Sequence, residues 1–357
     1  MTTAVLVLNF GEPAHPVEEE VVPYLERIFL QNASLEHEDE EARARRSREL
    51  ARRRAPGLIE EYRSIGGSPL AEQAAAQSDA LEAELRRRGL EARTFVGMQF
   101  TEPSIPAAVE RARAAGADRL VGLPVYPLCG RSTTVAALEE MAAAVRDAGW
   151  EVERHELTGW HRHPAYPDLR AAAIRRRAEA GGVDLADPSV RLVFSAHGTP
   201  LRYLDDGNRY DLYVDDYCRT VASRLGVQRW SLGFQNHGNR SIPWTEPEID
   251  DVVRGLEGEA SDVVVDPTSF MHEQSETLSE LDVELREVAG EAGLGFHRVP
   301  VPHDDPAFAA LLADLVQGVL GDGRLLGDAV GAALRACRCR ASPGARCLNA
   351  GLERAAD

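Results

Sequence analysis

Residues 4–8 read AVLVL, and runs of the same kind recur at residues 92–96 (ARTFV), 120–125 (LVGLPV), 152–155 (VERH), 192–195 (LVFS), 229–234 (RWSLGF) and 263–265 (VVV). A strand with one wet face alternates apolar and polar residues, whereas a strand covered on both faces loses that alternation and reads as such a run. Between the runs lie stretches with helical periodicity, at residues 71–88, 105–115, 133–148 and 210–225. Strand and helix in alternation predict a parallel, doubly wound α/β sheet. A second round of the pattern begins near Arg191, after the Gly181-Gly182 break, and 357 residues exceed what one core usually serves. We therefore expect two α/β lobes, residues 1–165 and 166–325, and a C-terminal tail, residues 326–357. Ligands of such folds bind outside the carboxyl ends of the strands, so that is where to look for chemistry.

The net charge of −18 argues against a nucleic-acid partner, which requires clustered Lys and Arg. No apolar run approaches the roughly 20 residues that span a bilayer, and Met1-Thr2-Thr3 lacks the basic start of a secretory signal. A cytoplasmic protein without a transmembrane segment is expected. Residues 36–54 (EHEDEEARARRSRELARRR) read as a solvated helix with opposite charges three or four apart. Of five cysteines, Cys129 and Cys218 stand alone, while Cys337, Cys339 and Cys347 crowd the C-terminus. An odd count without a signal peptide disfavours a disulfide framework, and a terminal cluster of thiols suits metal ligation.

Two strand ends are unusually polar. Residues 192–195 run into Ala196-His197-Gly198-Thr199-Pro200, which puts a histidine where the strand stops. A histidine in that setting is most often a turn or capping residue, and its place at a strand end raises the functional reading. The third strand of the second round leads into residues 266–293, where Glu276, Glu280 and Glu284 stand four apart with Glu273, Asp282 and Glu287 among them. Like charges at that spacing repel unless water or cations relieve them. A solvated helix face is the plain interpretation; the position in the ligand crevice makes a carboxylate ladder for a cation the sharper one.

The segments VLVLNFGEP (5–13), YRSIGGSPL (62–70), GMQFTEPSI (97–105), LPVYPLCGRSTT (123–134), FSAHGTP (194–200), FQNHGNRSIPWTEP (234–247) and SETLSELDVE (275–284) resemble, in order, the motifs of the ferrochelatase family. That resemblance implies the chelatase fold of two Rossmann-like lobes with a porphyrin in the cleft between them. It also implies insertion of ferrous iron, a substrate, into protoporphyrin IX or coproporphyrin III late in haem biosynthesis, and transient contact with neighbouring enzymes of that pathway. His197 matches the family's strand-end histidine and Glu276 its active-site glutamate, with Glu280 and Glu284 continuing the acidic series behind it. By the same resemblance Phe10, Tyr126, Ser132 and Thr133 lie near the porphyrin, and Met98 and Arg63 near the cleft wall.

The chemistry asks for such residues. Two pyrrole protons must leave as a divalent metal enters; a neutral imidazole accepts a proton at working pH or holds a metal, and a carboxylate ligates iron loosely. Sequence leaves open how His197 and Glu276 divide these tasks. Glu273-Gln274 stands where the family usually has Asp-His, and Asn236-His237 where it commonly has Ser-Arg, which puts the support around Glu276 in question. Some relatives carry a 2Fe-2S cluster held by three tail cysteines and one from the body of the fold. Cys337, Cys339 and Cys347 supply the tail here, with Cys129 as the fourth ligand and Cys218 its rival. Four thiolates also suit zinc. Two other functions compete: a cobalt or nickel tetrapyrrole chelatase, and a porphyrin- or haem-binding relative without turnover. The retained His197, Glu276 and carboxylate ladder favour iron insertion.

Overall fold

The computed structural model describes residues 2–33, 39–236, 242–325 and 332–352. The apolar runs become strands β1 (Thr3–Asn9), β2 (Ala92–Met98), β3 (Arg119–Pro124), β4 (Glu153–Leu157), β5 (Val190–His197), β6 (Trp230–Gln235) and β7 (Asp262–Pro267). Three short strands went unread: β8 (Gly295–Arg298), β9 (Arg335–Ala336) and β10 (Ala345–Cys347). None of them forms an apolar run, because β8 carries His297 and Arg298 and the tail strands are two and three residues long. One sheet has the order β2-β1-β3-β4-β10-β9 and the other β6-β5-β7-β8. All pairings are parallel except β9 against β10. The fold is thus the expected parallel α/β type.

The two sheets repeat one plan. In each, the first strand lies between the second and third, and the corners match in sequence. Gly11-Glu12-Pro13 follows β1 as Gly198-Thr199-Pro200 follows β5. Thr101-Glu102-Pro103-Ser104-Ile105 follows β2 as Thr245-Glu246-Pro247-Glu248-Ile249 follows β6, each with a cis peptide before its proline. The third strands, β3 and β7, each lead to a π-helical segment, Arg131–Val135 and Glu276–Leu285. Such segments are rare and concentrate at functional sites.

The C-terminal strands return to the first sheet. Ala345 and Arg346 pair in parallel with Glu156 and Leu157 of β4, so the tail extends the first lobe's sheet. The two lobes also share apolar packing: Val7 and Val121 of the first sheet, Phe194 and Val264 of the second, and Trp160, Tyr166 and Phe308 belong to one buried cluster. Beneath β7, Arg170 and Asp266 form a fully buried ion pair at 2.5 Å, to which Tyr217 donates its hydroxyl at 2.8 Å. That pair ties the helix Ala165–Gly181 to the second sheet.

The charged stretch 36–54 is, where described, the expected solvated helix. Its described part lies in the helix Glu40–Ser64, whose first turn is capped by Asp39 accepting from the N–H groups of Glu41 and Ala42. Among the described residues the ion pair on this helix joins Arg63 to Glu60, and none joins the acids and arginines of residues 40–54. The acids there serve the helix N-terminus, and exposed arginines gain too little from pairing to hold one geometry.

Candidate active site

The carboxyl ends of β5, β6 and β7 gather the polar residues. His197 closes β5 and pairs in register with Gln235, the last residue of β6. The His197 backbone N–H donates to Ser269 Oγ at 3.0 Å, and its ring Nδ1 lies 2.7 Å from the carbonyl of Gly198. A carbonyl only accepts, so that contact puts the neutral ring's proton on Nδ1 and its lone pair on Nε2. Trp244 and Phe270 flank the imidazole, with ring centroids 6.4 and 6.3 Å away.

Gln235 links this histidine to the carboxylates. Its Oε1 accepts from Ser195 Oγ at 2.8 Å, which orients the amide. Its Nε2 then donates to the backbone carbonyl of Glu276 at 2.9 Å and to Glu280 Oε2 at 2.8 Å. Gln274 Nε2 donates to Glu276 Oε2 at 2.7 Å, so the glutamine in the altered motif directly supports the glutamate. Asn236 donates to the Thr245 carbonyl at 2.8 Å; its Oδ1 lies so close to Gly198 that a Cβ there would meet it at 1.6 Å. His237 lies outside the described residues.

Further carboxylates converge on Glu276. Burial, then the charge of Glu276, push the Glu12 carboxyl up to about 8. Burial and the charges of Glu276 and Glu284 push Glu61 up to about 7, and burial with Glu276 raises Glu280 well above the carboxylate range. Glu276 and Glu280 are partly buried and Glu284 is exposed, so the series runs from the interior to solvent. Among the described residues no three His, Cys, Asp or Glu side chains form a ready-made cage for one ion.

The other expected residues divide. The Phe10 ring stacks 4.5 Å from Phe100, and Tyr126 is within reach of both the Phe10 backbone and the charge of Glu276. Ser132 and Thr133 lie on the first π-helical segment, where the Ser132 carbonyl accepts from Gln31 at 3.0 Å and Gln99 at 3.2 Å. Met98 is buried against Leu70 and Ala74, behind this surface. Arg63 is exposed beside Glu60, and its neighbour Tyr62 is buried and feels the charge of Glu12. Glu12, Glu61 and Gln235 were not singled out in the sequence. Glu12 had a signal in GEP, where an acid between glycine and proline has no local role to explain it.

The thiols of Cys129, Cys337 and Cys339 interact with one another, and Cys337 also with Cys347. Tyr213 Oη lies 3.1 Å from Cys339 Sγ. Cys218 stays apart, fully buried in the core on the helix Tyr210–Leu225. Cys339 also borders a cavity of about 770 Å³, whose walls include Gln99, Phe100, Arg131, Glu140 and Tyr203. His197 and Glu276 are not among its lining residues.

Two like lobes meeting at strand ends that carry a histidine and a carboxylate series have the architecture of a chelatase. SirB from Bacillus subtilis, solved with Fe3+, shares this fold with a TM-score of 0.53 at 13% identity, over 89% of this chain and 95% of its own. The ferrochelatase family profile matches residues 2–320. The ferrochelatase of Geotalea daltonii is 31% identical over 325 residues, 90% of this chain and 99% of the relative; that of Synechococcus sp. RCC307 is 35% identical over 266 residues, 72% and 67% respectively. The chain belongs to the ferrochelatase family, and its activity is insertion of ferrous iron into a porphyrin in haem biosynthesis. None of the described helices is long and apolar enough to cross a membrane.

Proposed function

We propose that His197 and Glu276 face the porphyrin centre and carry out the exchange of two pyrrole protons for one ferrous ion. The observation that supports this most is the link through Gln235, which stands beside His197 in the sheet and bonds both the Glu276 backbone and the Glu280 side chain. With its proton on Nδ1, His197 presents Nε2 as the acceptor for a pyrrole proton. Glu284, Glu280 and Glu276 form the route by which iron, the substrate, enters from solvent. Phe10, Tyr126, Ser132 and Thr133 bound the macrocycle, and contacts along those walls favour the buckled ring that exposes nitrogen lone pairs. Met98 supports that wall from behind, and Arg63 acts at its outer edge. The lobes are assigned to residues 1–165 and 166–325 and the cysteine tail to residues 326–357.

Cys129, Cys337, Cys339 and Cys347 are the residues we assign to a 2Fe-2S cluster; the influence of their thiols on one another supports the reading, and Cys218 is elsewhere. These four residues would hold a cluster that supplies a one-electron redox centre joining tail to fold. Free thiols suit a cytoplasmic setting, and transient contact with neighbouring haem-pathway enzymes would hand on the insoluble ring. His197→Ala and Glu276→Gln test the assignment: each is expected to abolish insertion while porphyrin still binds, and near-normal turnover in either contradicts it.

A further inference from the structure

The segment that carries Glu276 belongs by sequence to the second lobe but hangs from side chains of the first. The Glu273 N–H donates to Gln73 Oε1 at 2.8 Å, on the helix Leu70–Arg87. Two residues later Ser275 donates its hydroxyl to Glu12 Oε1 at 2.5 Å, and its N–H points to both carboxylate oxygens, at 3.4 and 3.2 Å. Ser68 Oγ holds the other oxygen of Glu12 at 2.5 Å. Glu12 is 3% exposed, so these bonds form away from competing water.

Glu12 is aimed there by the turn that ends β1. Gly11 has φ +87°, and a Cβ on it would lie 2.3 Å from Thr101 Oγ1, so the chain folds back against the β2 corner. Tyr62, buried on the helix Glu40–Ser64, feels the charge of the same carboxylate. Ser275 Oγ also lies 3.1 Å from Glu276 Oε2. A hydroxyl has one proton, and the shorter bond takes it, so Glu12 decides where the Ser275 hydroxyl points.

We propose that Glu12 is a positioning residue for iron insertion: through Ser275 it fixes the Glu276 carboxylate to the first lobe, setting the distance between the two walls of the cleft at the reacting centre. The proposal rests on the assignment of Glu276 above. Gln73 is the second tie, at Glu273, one residue before Gln274, whose side chain also holds Glu276. Loss of Glu12 frees the Ser275 hydroxyl to turn to Glu276 and lets the segment shift, and a displacement on the order of 1 Å costs about 10²-fold in rate.

Anaerobic ferrous insertion should be measured for wild type, Glu12→Ala, Ser275→Ala, the double variant and Gln73→Ala, with folding checked by circular dichroism. Glu12→Ala and Ser275→Ala are each expected to lower kcat by about 10- to 100-fold with porphyrin KM within about twofold, and the double variant to fall no further than the worse single. A wild-type kcat in Glu12→Ala, or effects that multiply in the double variant, overturns the proposal. If Glu12→Ala does not fold, Gln73→Ala, which removes no ionisable group, is expected to show the same split of kcat from KM, and wild-type kcat there overturns it. Glu276→Gln in the same assay separates the two levels. Its full activity would defeat the assignment of Glu276, whereas its inactivity beside a wild-type rate in Glu12→Ala would defeat the positioning role alone.

Discussion

Gln235 stands opposite His197 at the ends of paired strands and carries its amide to Glu280, 2.8 Å away. One side chain thus spans the gap between the strand-end histidine and the carboxylate series. A hydrogen bond between neutral groups contributes roughly 0.5–1.5 kcal/mol net, and an acceptor left buried without its donor costs about 1–3 kcal/mol. Gln235→Leu is expected to lower kcat by about one to two powers of ten while the fold is kept, measured by porphyrin fluorescence loss against circular dichroism. Unchanged kcat would mean that the amide does not hold the acids for catalysis.

The Gly198 corner tests local packing. A Cβ at residue 198 would meet Asn236 Oδ1 at 1.6 Å. Gly198→Ala is expected to lose about 1–3 kcal/mol in chemical unfolding, and Gly198→Ala with Asn236→Ala to recover most of it. No recovery would place the obstacle in the backbone.

The buried pair Arg170–Asp266 is a structural counterpart. Asp266→Ala leaves the guanidinium uncompensated and the Tyr217 hydroxyl without its acceptor, which should cost about 3–5 kcal/mol. Denaturant midpoints measure it, and a loss below about 1 kcal/mol would show that water reaches the site.

Glu12 gives a pH dependence with a defined sign. Its folded carboxyl titrates near 8 against a reference of 4.5, so between those values the native chain binds the proton that the unfolded chain has released. Stability therefore falls as pH rises through that window. The wild type is expected to lose more stability than Glu12→Gln between pH 6 and pH 8.5, measured as the shift in guanidinium midpoint. Equal shifts would show that Glu12 is ionised in the fold.

The cysteines separate by substitution. Cys129→Ser is expected to remove visible absorbance and bound iron from iron-replete protein, and Cys218→Ser to leave both unchanged. The reverse result would assign the fourth thiolate to the core helix.

The apolar runs located seven strands because a strand covered on both faces needs little else, and β1 is buried at every position. Strands β8 to β10 escaped because they are only two to four residues long, β8 and β9 at sheet edges and β10 between β4 and β9. His197 and Glu276 were legible as polar residues at strand ends. Glu12, Gln73 and Ser275 were not, since their meaning arises where one lobe touches the other. The second round of the strand pattern was legible near Arg191, whereas the match of TEPSI with TEPEI took its meaning only once both segments were seen to follow the second strand of a sheet.

The most direct test is anaerobic addition of ferrous iron to the purified protein with protoporphyrin IX and coproporphyrin III in parallel, alongside His197→Ala. Catalytic conversion of at least one ring by the wild type and none by the variant is expected; binding of both rings without turnover would contradict iron insertion as the activity, and equal turnover by the variant would contradict the role of His197.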